Sequence, residues 1–284
     1  MTGPRTDGAP TTTRGEGSLP SGLYWQSWTV PQPVGVVVLV HGVHEHGGRY
    51  RHVAERLARS GYASYAADHP GHGRSAGARG DIGSMAAAVA GIEETVQLAG
   101  RRHPDVPVFV YGHSLGGLVS VQYLTGSPDP RVRGAVLSAP ALDTSAATPL
   151  QRRVGPALSR LLPRVGVVQL EAEAVSRDPE VVRAYRTDPL NHMGRLRART
   201  GTEIMIAAAA APERLRSLTM PLLVLHGSAD RLMPTAASEV VRDAAGSAEV
   251  TLLVYEGLYH EPHNEPEQER VLDDVVAWLD AHRG

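Results

Sequence analysis

Residues 108–117, VFVYGHSLGG, decide the fold of this 284-residue chain. The first four are apolar and typical of a buried strand, and the residues that follow the stretch show a helical pattern. Between strand and helix, a serine occupies a sharp turn where side chains at Gly112 and Gly116 would collide with neighbouring backbone. The pattern predicts a nucleophilic Ser114 hydroxyl above the sheet. It also places the backbone N–H of Leu115 at a helix start, where it can donate to a developing oxyanion.

Apolar runs alternate with helical patterns on both sides of this turn. The continuous run at 34–40 is typical of a strand buried on both faces, and therefore of a parallel sheet covered by helices. Further strands are predicted at 62–67, 134–139, 222–226 and 250–255, and a weaker early edge strand at 23–30. Strands alternating with helices predict a doubly wound α/β fold, whose ligands bind at the carboxyl ends of the strands.

Two regions depart from this alternation. Residues 142–218 show helical periods interrupted by prolines, which predicts a helical cap inserted into a core formed by 21–141 and 219–284. The cap is more apolar than a short surface helix requires, which fits either burial against the core or a lid over a lipid entrance. Residues 1–20 are rich in Thr, Gly and Pro and predict a disordered tail.

Composition excludes several classes of protein. The formal net charge is -2, so nucleic acid is not an expected partner. The chain has no cysteine, which excludes disulfides, thiolate metal sites and a cysteine nucleophile. No apolar run reaches the roughly 18 residues that span a bilayer. The first twenty residues lack the apolar segment of a secretory signal, so the default expectation is a cytoplasmic protein.

A serine hydroxyl needs a general base, and the base needs a carboxylate that orients it. In this fold the chain order is serine, acid, histidine. His260 follows a predicted strand and a glycine turn and is the predicted base; its rivals are His263 in the same loop and His226 inside a strand. Asp230 follows the strand at 222–226 and is the predicted acid, with Asp143 as its competitor.

A second oxyanion donor is predicted in the loop that follows the strand at 34–40. Residues 41–43, HGV, occupy the place where esterases carry their glycine-rich oxyanion motif. The backbone N–H of Val43 is therefore predicted to pair with that of Leu115, and the reaction they support requires no metal or organic cofactor.

Longer motifs run through most of the chain. They are HGxxEHxxRY at 41–50, DHxGHGRS at 68–75, GHSLGG at 112–117, SRDPEVV at 176–182, YxTDPL at 185–190, LVLHGxxDRL at 223–232 and YxGLYHE at 255–261. On these motifs the chain resembles the monoacylglycerol lipases, serine hydrolases also grouped as lysophospholipase-like or serine aminopeptidase S33 proteins, and in particular their actinobacterial members. The resemblance implies an α/β-hydrolase fold, with a mostly parallel central sheet, flanking helices and an inserted helical cap.

The resemblance also implies a polar pocket for the glycerol headgroup. Its residues here would be Glu45, Arg49, Tyr185 and His263, whose donors and acceptors match the hydroxyls of glycerol. An exposed surface ion pair is the alternative interpretation of the glutamate and the arginine. His44 departs from the small residue common in relatives and would narrow or polarise this end of the site.

The predicted function is hydrolysis of monoacylglycerol to fatty acid and glycerol through an acyl-enzyme on Ser114. The cap would hold the acyl chain and contact membrane or micelle surfaces. The enzymatic alternative is a broad carboxylesterase or lysophospholipase with the same triad. The alternative of another class is a non-catalytic lipid-binding protein on a hydrolase fold.

Overall fold

A central sheet of eight strands organises residues 12–143 and 149–284, which are the parts of the chain that the computed structural model describes. The strands of this sheet are β1 (Thr13–Ser18), β2 (Tyr24–Thr29), β3 (Gly35–Val40), β4 (Tyr62–Ala67), β5 (Val108–His113), β6 (Val132–Ser138), β9 (Leu222–Gly227) and β10 (Val250–Tyr255). Their order across the sheet is β1-β2-β4-β3-β5-β6-β9-β10. In this order, every neighbouring pair from β4 onward is parallel, whereas the pairs β1–β2 and β2–β4 are antiparallel. The predicted mostly parallel sheet is confirmed.

Helices cover both faces of the sheet. They are α1 (Arg51–Arg59), α2 (Met85–Arg102), α3 (Leu115–Leu124), α4 (Pro149–Leu161), α5 (Pro179–Thr187), α6 (Ala198–Leu215), α7 (Ala236–Ala244) and α8 (Gln268–His282). Strand β3 shows how the two layers form: Val36 and Val38 belong to the cluster beneath α2, α3, α6 and α7, and Val37 and Leu39 belong to the cluster beneath α1 and α8. Alternate side chains of a strand point to opposite faces, so a continuous apolar run fills both cores.

The N-terminal part of the chain differs from the prediction. The predicted disordered tail is wrong for residues 13–18, because β1 pairs with β2 along its whole length, from Thr13 opposite Thr29 to Ser18 opposite Tyr24. The strand at 24–29 is consequently not at the edge of the sheet. Most side chains of β1 are exposed or half-buried, so the strand is held by backbone hydrogen bonds rather than by an apolar pattern. Residues 1–11 of the predicted tail lie outside the described residues.

The segment between β6 and β9 is mainly helical, as the prediction of a cap requires. It also contains β7 (Gly166–Val168) and β8 (Leu196–Arg197), which pair antiparallel and were not predicted. Helix α6 packs against α3 and places Ala211 and Leu215 in the core, so the C-terminal end of the predicted cap contributes to the helical layer of the core domain. The cap boundaries stay a prediction, and residues 144–148 of it lie outside the described residues. Among the helices that are described, none is long and apolar enough to cross a membrane.

Candidate active site

The turn between β5 and α3 holds Ser114 in a strained conformation. Its backbone has a φ of 52°, in the region that side chains other than glycine rarely adopt. A Cβ atom at Gly112 would lie 2.6 Å from the carbonyl oxygen of Gly116, and one at Gly116 would lie 2.1 Å from that of Val40. Because neither position can hold a side chain without moving backbone, the predicted steric basis of the turn is confirmed.

Ser114, His260 and Asp230 form one chain of hydrogen bonds. The Nε2 atom of His260 lies 3.0 Å from the Oγ atom of Ser114, and its Nδ1 atom lies 2.7 Å from an Oδ atom of Asp230. These are the contacts that a nucleophile, a base and an orienting carboxylate make in a serine hydrolase. The side chains of Asp230 and His260 are 0% and 7% exposed, so the chain lies in a low-dielectric environment.

The predicted base and acid bond each other, and the rival histidines make other contacts. Asp230 lies at the Nδ1 atom of His260, in the orienting role for which Asp143 is its competitor. His226 is buried in β9 and bonds the hydroxyl of Ser238 and a carbonyl oxygen. His263 is fully buried below the site, with its Nδ1 atom 3.3 Å from the hydroxyl of Tyr111.

Asp230 is held as a carboxylate by donors on both of its oxygens. One oxygen accepts the backbone N–H groups of Leu232 and Met233, at 2.8 and 2.9 Å. The other faces His260 and, at 3.1 Å, the Nε2 atom of His226. Burial by itself raises the pKa of Asp230, but the charge of His260 and these hydrogen bonds hold it well below its ordinary value.

Two buried histidines, His113 and His260, lie next to each other in the site and differ in their proton affinity. Burial lowers the pKa of His260, but the Asp230 carboxylate outweighs burial and raises it above its ordinary value. Burial lowers the pKa of His113, whose ring lies 4.8 Å from that of His260, to about 3. His260 is therefore able to accept a proton from Ser114, whereas His113 stays neutral.

The predicted oxyanion donors belong to a helix and a loop next to Ser114. Leu115 begins α3, and the first N–H groups of a helix have no acceptor within it. The loop that carries Val43 passes close to the nucleophile, since a Cβ atom at Gly42 would lie 3.3 Å from the Cβ atom of Ser114. The Oε1 atom of Glu45 accepts the N–H of Gly42 at 2.6 Å and fixes this loop.

The residues predicted to bind glycerol lie together next to this loop. The Arg49 guanidinium donates to Glu45 at 2.5 Å and lies 4.7 Å from the ring centre of Tyr185. The ring of His263 stacks on that of Tyr50 at 5.1 Å. The side chains of Glu45 and Arg49 are 2% and 10% exposed, so the alternative of an exposed surface ion pair is wrong.

One residue of this cluster was missed by the sequence analysis. Glu261 directly follows His260 and accepts both terminal nitrogens of Arg49, each at 2.7 Å. The sequence carried two indirect signals for it. Glu261 is an acidic residue beside the base, within the quoted motif at 255–261, and the distant Arg49 carries a charge that requires a partner.

The same cluster has a spacing that suits a cation. Ligand atoms of Glu45, His113 and Glu261 lie within 4.8 Å of one another, which would allow them to hold a metal ion. The Arg49 guanidinium hydrogen-bonds both carboxylates, so the positive charge within this cluster is provided by a side chain.

The fold and the hydrogen-bonded serine, histidine and aspartate define a serine hydrolase of the α/β-hydrolase class. Comparison with known proteins narrows the class. A model of the family described as serine aminopeptidase, S33 matches residues 31–267. The chain is 44% identical over 262 residues to a monoacylglycerol lipase from Mycolicibacterium smegmatis, which covers 92% of this chain and 93% of that protein. The chain belongs to the monoacylglycerol lipase family and is a carboxylic ester hydrolase.

Two further relatives differ from each other in the activity that they are named for. A crystal structure of Paleococcus ferrophilus monoacylglycerol lipase matches with a TM-score of 0.80 and 32% identity, over 92% of this chain and 99% of that one. A Bacillus subtilis protein named phospholipase YtpA is 31% identical over 266 residues, which are 90% of this chain and 99% of that protein. The predicted family and fold are confirmed.

Proposed function

We propose that this protein hydrolyses monoacylglycerols to a free fatty acid and glycerol. The observation that carries the proposal is the chain of hydrogen bonds from Ser114 through His260 to Asp230, within a chain whose relatives include proteins named monoacylglycerol lipase. No described residue other than these three is assigned a covalent or proton-transfer role.

The geometry supports the following steps. The Nε2 atom of His260 takes the proton of Ser114 as the Oγ atom attacks the ester carbonyl, and the N–H groups of Val43 and Leu115 receive the resulting oxyanion. The tetrahedral intermediate collapses as His260 gives its proton to the departing glycerol oxygen. A water molecule then loses a proton to His260, attacks the acyl-enzyme and releases the fatty acid, and the proton returns to Ser114.

We assign glycerol recognition to Glu45, Arg49, Tyr185 and His263, with different tasks. The oxygens of Glu45 are taken by the N–H of Gly42 and by two side chains, so Glu45 and Arg49 give the pocket its shape. Among the described residues, the buried Nε2 atom of His263 has no hydrogen-bond partner. We assign this nitrogen, together with the hydroxyl of Tyr185, whose ring lies against Arg49, to bonding the glycerol hydroxyls.

We assign the acyl chain and contact with lipid surfaces to the cap. Many of the exposed large apolar side chains lie there: Leu150, Val154, Leu161, Leu162, Val165, Val167, Val168, Met193 and Ile206. Exposed arginines alternate with them, and Arg153, Arg160, Arg164 and Arg195 form no salt bridge with a described residue. An apolar surface with unpaired positive charge favours a membrane or micelle that carries anionic headgroups.

A panel of substrates with one acyl chain and different headgroups tests the proposal. We expect the highest kcat/KM for monoacylglycerol, and lower values for diacylglycerol, for the methyl ester and for lysophosphatidylcholine. The Tyr185→Phe variant should lose part of this preference and keep its activity on the methyl ester, because it lacks only a hydroxyl. Equal rates on all four substrates would instead support a broad carboxylesterase, and the highest rate on lysophosphatidylcholine a lysophospholipase.

A fluorophosphonate probe separates an enzyme from a non-catalytic lipid-binding protein. We expect wild-type protein to be labelled covalently and the Ser114→Ala variant to remain unlabelled. Absence of labelling on folded wild-type protein would contradict every enzymatic assignment made for this site.

A further inference from the structure

Two loops supply the reacting groups, and a chain of buried charges joins them. The oxyanion loop, residues 41–46, carries Val43, and the histidine loop, residues 256–265, carries His260. From the first loop, the N–H of Gly42 donates to Glu45, which accepts from Arg49 at 2.5 Å. Arg49 in turn donates both terminal nitrogens to Glu261, at 2.7 Å each. The two loops are thus connected through the side chains of Glu45, Arg49 and Glu261.

Burial makes this connection rigid. The side chains of Glu45, Arg49 and Glu261 are 2%, 10% and 3% exposed. The contact between Arg49 and Glu261 is bidentate, which fixes the orientation of the two groups as well as their distance. A buried ion pair is weak evidence for stability, because apolar residues of similar volume often do as well. Apolar residues would not, however, reproduce the directional hydrogen bonds that connect the two loops.

Glu261 is fixed from further directions. Its second carboxylate oxygen also accepts the side-chain amide of Asn264 at 2.7 Å. Its backbone N–H donates to the carbonyl oxygen of Val175 in the segment between β6 and β9, at 2.9 Å. The residue next to the base therefore contacts the cap, its own loop and the oxyanion loop.

We propose that Glu261 is a positioning residue, which holds the histidine loop at a fixed distance from the oxyanion loop through Arg49 and Glu45 and stabilises the imidazolium form of His260. This inference rests on the hydrolytic function proposed for the same site. Glu261 does not touch the substrate; it acts through the base and through the loop that binds the oxyanion.

The charges around His260 explain the electrostatic part of this role. Asp230 faces the ring from the loop after β9, His113 faces it from β5, and the buried cluster faces it from the oxyanion loop and from residue 261. Burial raises the pKa of Glu261, but Arg49 lowers it to about 2, so this carboxylate stays ionised in any assay. Without Glu261, Arg49 would keep one hydrogen-bonded carboxylate, Glu45, instead of two, and its positive charge would disfavour a second cation on His260.

The test compares Glu261→Gln with Glu267→Gln on 4-nitrophenyl butyrate between pH 5 and 9. Glu267 lies in the same part of the chain, but its side chain is 46% exposed and pairs with Arg177. For Glu261→Gln we expect kcat to fall on the order of 10- to 100-fold with little change in KM, since a displaced reacting group costs about this much. The acid limb of its kcat/KM profile should move to lower pH, because His260 loses a neighbouring negative charge.

A second variant separates charge from geometry. Glu261→Asp keeps the negative charge but is one methylene too short for the bidentate contact, so kcat should fall while the acid limb stays near its wild-type position. If thermal unfolding shows that Glu261→Gln does not fold, Glu261→Asp still tests the geometric part of the proposal. Glu267→Gln should match the wild type in both readouts.

The inference is overturned if both Glu261 variants keep kcat within twofold of the wild type. It is also overturned if folded Glu261→Gln loses activity with no movement of the acid limb, because a merely structural residue would behave so. Failure of the proposed function looks different: wild-type protein would then not hydrolyse the ester at all, or Ser114→Ala would hydrolyse it as well as wild type.

Discussion

The floor of the active site, meaning the buried residues around Ser114, Asp230, His260 and Glu261, differs from the cap in how far its polar and apolar groups are buried. On the floor, the side chains of Asp230 and Glu261 are 0% and 3% exposed, Ser114 is buried, and each makes hydrogen bonds within the protein. In the cap, Leu161 is 80% exposed, and the neighbouring Arg160 has no salt bridge with a described residue. The reacting groups of the floor are thus hydrogen-bonded within the protein, whereas the cap surface exposes apolar side chains and arginines to solvent.

This difference fits the two tasks of a lipid hydrolase. Bond breaking requires donors and charges that are fixed before the substrate arrives, because reorganising them during the reaction would cost free energy. In the function proposed above, capture of substrate from a lipid surface is favoured by exposed apolar area and, where the headgroups are anionic, by positive charge. Changes on the floor should therefore reduce turnover, and changes on the cap surface should alter binding to lipid alone.

The largest effect is expected for the nucleophile. Ser114→Ala should lower kcat by about 10⁴-fold or more, because a methyl group is unable to attack the ester carbonyl. The loss should be seen in the release of fatty acid and in that of 4-nitrophenol from a short ester. Ser217→Ala, an exposed serine far along the chain, is the control and should be unchanged. Wild-type turnover by Ser114→Ala would show that the nucleophile is another residue.

The next effect is expected for the carboxylate that orients the base. Asp230→Asn should lower kcat by roughly 10³- to 10⁴-fold, because an amide that donates to Nδ1 of His260 favours the tautomer unable to accept the proton of Ser114. Asp243→Asn, an exposed residue paired with Arg242, is the matched control. If Asp230→Asn retained more than a tenth of wild-type kcat, the orienting role would fall to another group.

The centre of the floor was predictable because its signals are local. Gly112 and Gly116 are required by close backbone contacts within one turn, so a short sequence pattern is sufficient to locate Ser114. His260 and Asp230 follow strands directly, and the order of parallel strands brings their loops to the same edge of the sheet.

Other features were not predictable because they depend on long-range contacts. Arg49 and Glu261 are separated by more than two hundred residues, and no local pattern shows that they form a bidentate pair. Strand β1 is formed by backbone pairing with β2 while most of its side chains face solvent, so it lacks the apolar alternation that marks a strand. Strands β7 and β8 are too short to show a periodicity.

The buried histidines of the floor predict an acid-sensitive fold. Burial lowers the pKa of four of them to about 3 or 4, from an ordinary value near 6.5: His44, His69, His72 and His113. Below pH 6.5 the unfolded chain binds protons that the folded protein excludes, so stability falls with pH by up to ~1.4 kcal/mol per unit for each histidine. His260 has a raised pKa and opposes this trend, since its contribution is present below pH 6.5 and is lost at higher pH.

Urea unfolding at pH 7.5 and 5.5 measures this sensitivity. We expect the free energy of unfolding to be lower at pH 5.5 by about 1.4 kcal/mol for each histidine that stays neutral in the folded protein. Burial holds the pKa of His41 and His263 well below the ordinary value too, so they act in the same direction. His44→Asn should reduce the difference by about 1.4 kcal/mol, and asparagine tolerates the φ of 69° at this position. Equal free energies of unfolding at the two pH values would mean that these histidines bind protons while the protein is folded.

The smallest effect is expected for substitutions on the cap surface, which should weaken binding to lipid and leave turnover unchanged. Arg160→Gln should weaken binding to vesicles of phosphatidylglycerol and phosphatidylcholine by about 1 kcal/mol, roughly fivefold, because one positive charge near an anionic surface contributes about this much. The loss should disappear on vesicles of phosphatidylcholine alone, where no anionic headgroup is present.

The matched control for the cap is Arg242→Gln, on the surface of α7, which should bind both kinds of vesicle like wild type. Leu161→Ser should weaken binding to both kinds, since the apolar contribution does not depend on headgroup charge. Both cap variants should retain wild-type kcat on a water-soluble ester, because neither residue contacts the floor. Loss of kcat together with loss of vesicle binding would contradict the division of tasks, and it would mean that the cap surface helps to fix the reacting groups.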